Sequence, residues 1–443
     1  MAKKEIDIIR DAGIVGAGGA GFPTHVKLDA QVDNLIVNAA ECEPLINVDK
    51  QLLERYFSDV YRGLKVAASL TGAKKVTIAL KGKYKKAIQS VKDLKKEGLD
   101  FEIFELDNFY PAGDEQVLVD EIVGRIVPEG GIPLMVGCVV INVETLLNIA
   151  KAMDGANVTG KYLTVGGAVA KPSTFMVPVG TPVKQLLDYV GGITENDYAV
   201  FDGGPMMGKL IDEESYAVKK VTKSILVLPE GNIVTVQRKR DSGGQIKRAQ
   251  SICLSCRMCT DLCPRYLLGH DLFPDEMMKK LYKDNMDEED IKNFDFAYLC
   301  CDCGLCELYS CVVDLSPRAL FNYLKDELAK RGIKNPHNRK DVQSNEFKEF
   351  RKVPVDRLKN RLEIDKYDVE TPLTEFGEEV SEVKLYLSQH VGAPSKPVVN
   401  AGDKLEAGSL VADIPEESLG AKIHSSISGK VKEITSEYIL VGK

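Results

Sequence analysis

Two cysteine runs in the second half of the chain carry its clearest chemistry. The first run has the spacing Cys-x2-Cys-x2-Cys-x3-Cys, is followed directly by a proline, and contains Cys253, Cys256, Cys259 and Cys263. The second run has the spacing Cys-x2-Cys-x2-Cys-x4-Cys and contains Cys300, Cys303, Cys306 and Cys311. Two groups of four thiolates at this spacing are typical ligands of two 4Fe-4S clusters. The sequence therefore predicts a protein that transfers electrons.

The spacing also predicts how the two runs share their ligands. Gaps of two residues let one tight turn deliver three sulfur atoms, and the fourth sulfur must come from further away. In two-cluster ferredoxins the fourth cysteine of each run binds the other cluster. We therefore expect Cys311 to complete the first group and Cys263 to complete the second. Cys301 could compete with Cys300, but only Cys300 keeps the two-residue gap to Cys303.

Zinc sites and disulfides are the alternatives for these cysteines. Zinc is usually held by two Cys-x2-Cys pairs with a longer gap between them, whereas here four cysteines form each run. Disulfides are disfavoured by the short gaps and by an N-terminal sequence that lacks an apolar signal core. The other two cysteines, Cys42 and Cys138, are expected to be buried thiols without special chemistry.

The composition is that of a globular protein with several domains. A length of 443 residues predicts two to four domains, and a hydrophobic content of 44% is ordinary for such proteins. The net charge of -8 disfavours nucleic acid or an anionic membrane as the main partner. The most apolar stretch, residues 132–150, is interrupted by polar residues, so we expect no integral membrane segment. A reducing, cytoplasmic location fits the use of cysteine.

The residue pattern divides the chain into five parts. Residues 1–158 alternate buried strands with helices, which predicts a layered α/β domain. Residues 159–235 contain short strands and one helix, which predicts a small β-grasp module. Residues 245–330 predict a helical domain around the cysteines, and residues 331–380 a charged, partly helical connector that runs over the surface. Residues 381–443 predict a β-rich module with glycine turns.

A glycine-rich segment, Gly16-Ala-Gly-Gly-Ala-Gly-Phe-Pro23, lies near the N-terminus. Glycines let the backbone approach a phosphate closely and expose N–H groups to it. The usual dinucleotide motif follows a strand and opens a helix. Here the preceding segment is predicted to be helical and a proline follows the last glycine, so we do not expect an ordinary Rossmann turn. A purely structural glycine loop is the alternative.

Three further motifs follow this segment in order: Asn38-Ala-Ala-Glu-Cys-Glu-Pro44, Tyr110-Pro-Ala-Gly-Asp-Glu115 and Asn142-Val-Glu-Thr145. Together the four resemble the flavin- and nicotinamide-binding domain shared by RnfC-type proteins and the flavin subunit of respiratory complex I. The resemblance continues through Gly203-Gly-Pro-Met-Met-Gly208, both cysteine runs and the C-terminal module, and so covers nearly the whole chain. The chain is therefore similar to the RnfC-like family. With its β-rich module at the end, it looks most like the PduS-type cobalamin reductases.

The resemblance implies a non-covalent FMN and NADH as the electron donor, and it implies where they bind. Asn38 and Glu41 would lie against the flavin ring. Phe22 would stack on the nicotinamide, with Asp114 and Glu115 near the dinucleotide. The residues implied around the flavin phosphate are Gly16 and Gly18, with Gly19 and Gly21 in the same loop, and Lys27, Asn142 and Thr145.

The fold implied by the resemblance is a multidomain α/β protein. It combines a complex I flavin-subunit-like α/β domain, an SLBB-like β-grasp module and a helical dicluster ferredoxin-like domain. The last module resembles a biotinyl/lipoyl-like barrel-sandwich hybrid. Lys422 lies near its hairpin without the context of a modified lysine, so we expect an unmodified structural or docking module.

The implied activity is that of an NADH-dependent oxidoreductase that passes electrons through FMN and two 4Fe-4S clusters to cobalamin. The alternative is an RnfC-like electron-transfer subunit that serves a ferredoxin, a flavodoxin or a dedicated partner reductase. A third hypothesis is a docking protein in which the clusters are structural. The expected partners are NAD(H) with cobalamin, an adenosyltransferase or a protein electron acceptor. The resemblance leaves open NADPH as donor and a location inside a bacterial microcompartment.

Overall fold

The computed structural model describes residues 2–94, 98, 100–281 and 286–443. Its N-terminal part is built on a parallel sheet. The strands of this part are β1 (Asn34–Ala39), β2 (Lys75–Lys81), β3 (Glu102–Leu106), β4 (Phe109–Tyr110) and β5 (Cys138–Asn142). The helices are α1 (Ala2–Asp11), α2 (Thr24–Leu28), α3 (Asp49–Thr71), α4 (Lys85–Leu94), α5 (Glu115–Val123) and α6 (Val143–Met153). The sheet order is β3-β2-β1-β5, with every pair parallel.

Both faces of this sheet are buried, because alternate residues of a strand point to opposite faces. Leu35 and Val37 of β1 belong to the apolar core that includes residues of α3 and α6. Ile36 points the other way, into the core that includes Leu118 of α5. The near-continuous apolar strands of the sequence are therefore the strands of a sheet covered on both sides.

The carboxyl ends of β1 and β5 form a switch point in this sheet. The chain first adds β2 and β3 on one side of β1 and later adds β5 on the other side. Ligands of open α/β sheets bind at such a point. Asn38 and Asn142 are paired in register here. The glycine segment lies between α1 and α2, so the expectation that it is no ordinary Rossmann turn is confirmed.

Residues 160–229 form the second sheet. Its strands are β6 (Gly160–Gly167), β7 (Ser173–Pro178), β8 (Tyr198–Asp202), β9 (Lys209–Ile211) and β10 (Ser224–Pro229), and α7 (Val183–Tyr189) packs into the same core. The pair β6/β10 is parallel and the neighbouring pairs are antiparallel. A sixth strand is supplied by the connector described below.

Short helices surround the cysteines. They are α8 (Ile233–Lys239), α9 (Ser242–Ile252), α10 (Met258–Asp261), α11 (Pro264–Leu267), α12 (Pro274–Lys280), α13 (Glu288–Lys292), α14 (Leu305–Leu308) and α15 (Pro317–Lys330). Arg257 and Gly304 occupy equivalent places in the two cysteine runs, and both have left-handed backbone with φ of 66° and 79°. This conformation turns the chain sharply between the second and third cysteine of each run.

The connector is attached to both preceding parts. Its strand β11 (Val353–Pro354) pairs with β4, α16 (Val355–Arg361) follows, and β12 (Leu373–Thr374) pairs with β7. Lys352 of the connector also forms an ion pair of 2.8 Å with Glu121 of α5. We call the N-terminal α/β part, which resembles a flavin-binding domain and ends near residue 158, the flavin-type part. The connector therefore holds the flavin-type part and the second sheet in one arrangement.

The C-terminal module contains two small sheets around one apolar core. Its strands are β13 (Glu382–Tyr386), β14 (Lys396–Pro397), β15 (Lys404–Leu405), β16 (Leu410–Asp413), β17 (Ile423–His424), β18 (Gly429–Ile434) and β19 (Tyr438–Gly442). The Lys422 ammonium lies 3.0 Å from a carboxylate oxygen of Asp11, so this lysine bridges the module to α1. Among the described helices, none has the length and apolarity needed to cross a membrane.

A buried ion pair joins the first two parts. Lys161 of β6 contacts Glu144 of α6, and both side chains are almost completely shielded from solvent. Lys161 also donates to the carbonyl of Ala17 at 3.2 Å, and Glu144 accepts the backbone N–H of Tyr162 at 3.0 Å. Removing one partner of such a pair leaves a buried unpaired charge, at a cost of about 3–5 kcal/mol. The pair therefore fixes the glycine loop and β6 to α6.

Candidate functional site

The cysteine side chains line two separate cavities. The cavity that we call the outer cavity is lined by the thiols of Cys253, Cys256, Cys259 and Cys311. The second, the inner cavity, is lined by Cys263, Cys300, Cys301, Cys303 and Cys306. Cys311 thus lies with the first run and Cys263 with the second. The structure places the cysteines in the crossed arrangement that the spacing predicts.

The surroundings of the sulfur atoms fit iron–sulfur clusters. The backbone N–H of Leu315 donates to Cys311 Sγ at 3.2 Å, and that of Asp302 donates to Cys300 Sγ at 3.4 Å. Hydrogen bonds to ligand sulfurs are among the features that tune such clusters. In the described part of the chain, no three His, Cys, Asp or Glu side chains are placed to hold a single metal ion. The thiols surround a space instead, which is the arrangement that a cluster of several irons requires.

Cys301 is the fifth thiol at the inner cavity. It follows Cys300, whose sulfur accepts the backbone hydrogen bond from Asp302 and whose carbonyl accepts Lys325 Nζ at 2.7 Å. The sulfur and the carbonyl oxygen of Cys300 are therefore both held by hydrogen bonds. This favours Cys300 over Cys301 as the ligand, in agreement with the spacing to Cys303.

An arginine outside the cysteine runs ties the inner cavity to the flavin-type part. Arg265, two residues after Cys263, donates to both carboxylate oxygens of Asp114 at 2.8 Å each. Burial alone would raise the pKa of Asp114, but the charge and hydrogen bonds of Arg265 lower it below its usual range. Asp114 also caps α5 by accepting the N–H groups of Gln116 and Val117. A bidentate pair of this kind is strong and geometrically specific.

Other buried charges hold the second cysteine run in place. Arg318 of α15 donates to the Asp302 carboxylate at 2.9 Å, and Arg238 of α8 contacts Glu307 of α14. Arg238 also donates to the carbonyl of Met206 at 2.5 Å, in the loop between β8 and β9. The inner cavity is therefore fixed to the second sheet as well as to α5.

The predicted phosphate-side residues gather at the switch point of the parallel sheet. Ala17 N–H donates to Thr145 Oγ1 at 3.0 Å. A Cβ added to Gly18 would lie 2.8 Å from the side-chain nitrogen of Asn142, so only glycine permits this close approach. The backbone of Gly18 and Gly19 is exposed beside the N-terminus of α6. Helix N-termini and exposed N–H groups favour a phosphate, so the residues present fit the phosphate end of FMN.

Lys27 places a positive charge beside the switch point of the sheet. Its ammonium donates to Glu115 Oε1 at 2.8 Å and to the carbonyl of Val140 at 2.9 Å, and the side chain is mostly buried. Glu115 is the first residue of α5. Lys27 and Glu115, which the resemblance assigns to different ligand groups, are thus in direct contact.

The two residues assigned to the flavin ring, Asn38 and Glu41, bind different parts of the protein. Asn38 donates to the carbonyl of Gly113 at 2.9 Å, which brings the β1 end and the loop before α5 together. The Glu41 carboxylate instead caps α3, accepting the N–H groups of Val48 and Asp49. Burial, and next the charge of Asp49, raise the pKa of Glu41 to about 7. The side chain of Glu41 is therefore occupied in positioning α3. Phe22 is half-buried at the end of the glycine loop, where its carbonyl accepts Gly16 N–H at 3.0 Å.

Sequence reasoning missed Arg265 and Lys223 as residues of the site. Lys223 forms a buried pair with Asp49, whose carboxylate also accepts the side-chain N–H of Asn142 at 3.0 Å. Arg265 had a local signal, because it follows the Cys-Pro that ends the first run. Lys223 had none, since its partner lies 174 residues away.

Comparison with known proteins covers all of these parts. Family models match a Nuo51 FMN-binding domain at residues 9–151, an SLBB domain at 162–210, a 4Fe-4S dicluster domain at 252–316 and an RnfC barrel sandwich hybrid domain at 367–443. A cobalamin reductase PduS of Citrobacter freundii is 41% identical over 98% of this chain and 95% of its own length. The chain belongs to the PduS cobalamin reductase family.

More distant matches cover part of the chain. One component of a proton-translocating ferredoxin:NAD(+) oxidoreductase complex of Clostridium ljungdahlii is 34% identical over 60% of this chain and 56% of its own length. An NAD+-reducing [NiFe]-hydrogenase in the air-oxidized state has a TM-score of 0.51 at 21% identity, over 73% of this chain and 66% of that one. The last likeness concerns the fold alone.

Membership of the PduS family settles the class of cofactor and chemistry. The matched domains are an FMN-binding domain and a 4Fe-4S dicluster domain, so the protein is an oxidoreductase with FMN and 4Fe-4S clusters as cofactors. The predicted family, multidomain fold and enzyme class are confirmed.

The Asp114–Arg265 pair gives a first prediction. The variant Asp114→Ala leaves the Arg265 guanidinium buried without its partner, so we expect the junction to lose about 3–5 kcal/mol. Hydrogen–deuterium exchange should rise at residues 262–268 and at the start of α5. The matched control is Glu214→Ala, which removes an exposed ion pair with Lys184 and should cost about 1 kcal/mol or less. Equal exchange in both variants would contradict a clamp at this junction.

Proposed function

We propose that the protein reduces cobalamin with electrons from NADH. The observation that carries the proposal is the 41% identity, over nearly the full length of both chains, to a relative named cobalamin reductase PduS. Two thiol-lined cavities, one of them tied to the FMN-binding domain by the Arg265–Asp114 pair, support it. We include in the proposal an adenosyltransferase that receives the reduced cobalamin, and a location inside a bacterial microcompartment.

The chain's own residues position the donor and the carriers. We propose that Lys27, Thr145 and the glycine loop hold the FMN phosphate, while Asn38 orders the loop next to the ring. Phe22, Asp114 and Glu115 are proposed to lie along the bound nicotinamide dinucleotide. When bound, FMN converts the two-electron chemistry of NADH into single electrons, which the two clusters carry one at a time. The proposed cluster ligands are Cys253, Cys256, Cys259 and Cys311 at the outer cavity, and Cys263, Cys300, Cys303 and Cys306 at the inner cavity.

Anaerobic titration of the reconstituted protein tests this function. NADH should bleach the flavin and reduce the clusters, and hydroxocobalamin added last should become reduced, as followed by optical and EPR spectroscopy. A parallel titration with NADPH decides between the two donors. Reduced flavin and clusters with unchanged cobalamin would refute the cobalamin proposal and leave the electron-transfer core intact.

A second candidate acceptor is a protein. The 34% identity to a component of a ferredoxin:NAD(+) oxidoreductase complex favours it. In that case ferredoxin or flavodoxin should be reduced in the same titration faster than hydroxocobalamin. The two candidates share the donor, the flavin and the clusters, and differ only at the last step.

The inner cavity gives a prediction about its ligands. We expect Cys300→Ser to lose one cluster, because Cys300 has the required spacing and a fixed sulfur, whereas Cys301→Ser should keep both. Iron and sulfide analysis with EPR of the dithionite-reduced proteins distinguishes the two variants. Loss of a cluster in Cys301→Ser alone would reverse the assignment.

Lys27 gives a prediction about FMN. The variant Lys27→Met removes a charged contact to the phosphate, worth about 1.5–3 kcal/mol, so the Kd for FMN should rise about 10- to 150-fold. Lys74→Met is the control, because Lys74 is exposed and pairs with Asp33 at the surface. Fluorescence titration of the flavin-free proteins measures both, and an unchanged Kd in Lys27→Met would exclude the phosphate contact.

A further inference from the structure

The two cavities differ in how they connect to the flavin-type part. Tyr110 is 1% exposed, and its hydroxyl donates to the carbonyl of Cys303, in the wall of the inner cavity, at 2.8 Å. Tyr110 begins the loop that ends at Glu115. Within that loop the carbonyl of Gly113 accepts the side chain of Asn38, at the switch point of the sheet. One short loop therefore contacts both the proposed flavin site and the inner cavity.

The space between these two contacts is filled by packed side chains. Tyr110, Leu262 and Leu305 belong to one apolar core, and Cys42 and Cys303 pack against it. Cys42 lies so close to the loop that a Cβ on Gly113 would be 3.0 Å from its sulfur. The loop and the wall of the inner cavity therefore share one apolar core.

The wall of the inner cavity also contacts the loop between β8 and β9. Gly304 has a φ of 79°, and an added Cβ would lie 2.8 Å from the carbonyl of Met206. Arg257 adopts the same left-handed backbone in the first run, so it is the close contact with the Met206 carbonyl that requires glycine here. The turn between Cys303 and Cys306 is therefore held on two sides, by Tyr110 and by the Met206 loop.

The outer cavity has different neighbours from the inner cavity. Residues 253–321 supply the lining of both cavities. The wall of the inner cavity is bonded to Tyr110, whereas the Cys311 carbonyl of the outer cavity accepts Arg361 of α16 at 3.4 Å. The rim of the outer cavity faces solvent: Cys256 is exposed, and Leu254 and Val312 are 63% and 65% exposed. The outer cavity is thus bonded to the connector on one side and open to solvent, and so to an external acceptor, on another.

We propose that electrons pass from the flavin side to the inner cavity, beside Tyr110 and Cys303, and leave the protein from the outer cavity. One NADH releases NAD+, one proton and two electrons, and each cluster takes up one electron. The proposal deepens the proposed function and rests on its cluster ligands. It does not depend on cobalamin being the acceptor, so the two can fail separately.

Removing one cluster at a time tests this order. The variant Cys256→Ala removes a ligand of the outer cavity, and Cys306→Ala removes one of the inner cavity. EPR spectra are recorded after anaerobic addition of NADH and, separately, of dithionite. We expect the cluster left in Cys256→Ala to be reduced by both. The cluster left in Cys306→Ala should be reduced by dithionite and stay oxidised with NADH.

The order is overturned if NADH reduces the remaining cluster of Cys306→Ala as fast as that of Cys256→Ala. If Cys306→Ala does not accumulate as a folded protein, Cys263→Ser replaces it, because this residue supplies the single thiol that crosses from the other run. Wild-type protein in which NADH reduces no cluster would contradict the oxidoreductase itself, a result distinct from a wrong order.

Tyr110 is tested as a positioning residue in the intact protein. The variant Tyr110→Phe keeps the ring and removes the hydrogen bond to Cys303, so rapid-freeze EPR should show several-fold slower reduction of both clusters by NADH. Iron content and reduction by dithionite should stay unchanged. The matched control is Tyr298→Phe, since the Tyr298 hydroxyl donates to the Ile333 carbonyl at 2.6 Å within the cluster domain. Equal NADH-driven rates in Tyr110→Phe, Tyr298→Phe and wild type would exclude this role.

Discussion

Each thiol-lined cavity is completed by a cysteine from the other run, and the rest of the cluster domain depends on this crossing. Cys263 must reach the inner cavity and Cys311 the outer one, so neither run can form its site alone. The chain between them therefore folds as one unit. The helices α10 and α14, which follow the left-handed residues Arg257 and Gly304, have four residues each. Since a cluster binds only the folded arrangement, its binding energy also stabilises that arrangement.

The crossing also determines how the cluster domain is held. Cys263 is followed by Pro264 and Arg265, so the cysteine that crosses to the inner cavity brings with it the guanidinium that pairs with Asp114. Buried ion pairs contribute little net stability, but a broken one is costly, so they favour a single geometry. The Lys161–Glu144 pair acts in the same way between α6 and β6. The flavin-type part is thus fixed on one side to the cysteines and on another to the second sheet.

Local patterns in the sequence were enough to predict the elements that carry the site. The alternation of buried strands and helices predicted for residues 1–158 corresponds to the strands and helices from α1 to α6. The cysteine spacing predicted which thiols share a cavity. What could not be predicted are contacts between residues far apart in sequence, because no local period encodes them. Arg265 and Asp114 are 151 residues apart, and β11 and β12 are two-residue strands that exist only through pairing with β4 and β7. Glu41 was assigned to the flavin ring from its motif alone, and its contacts with α3 depend on how β1 and α3 meet.

The loop from Tyr110 to Glu115 explains why the flavin and cluster parts form a single site. Tyr110 contacts Cys303, Gly113 contacts Asn38, Asp114 contacts Arg265, and Glu115 contacts Lys27. Four of the six residues from Tyr110 to Glu115 thus contact the inner cavity, the residue after its proline, the sheet switch point or the proposed phosphate cation. Such a loop cannot adjust to a bound nucleotide without moving a wall of the inner cavity or breaking a buried pair. A stiff loop costs little ordering entropy on binding, and it keeps the distance between donor and carrier constant. For a protein that must hand over electrons singly, a constant distance matters more than a flexible site.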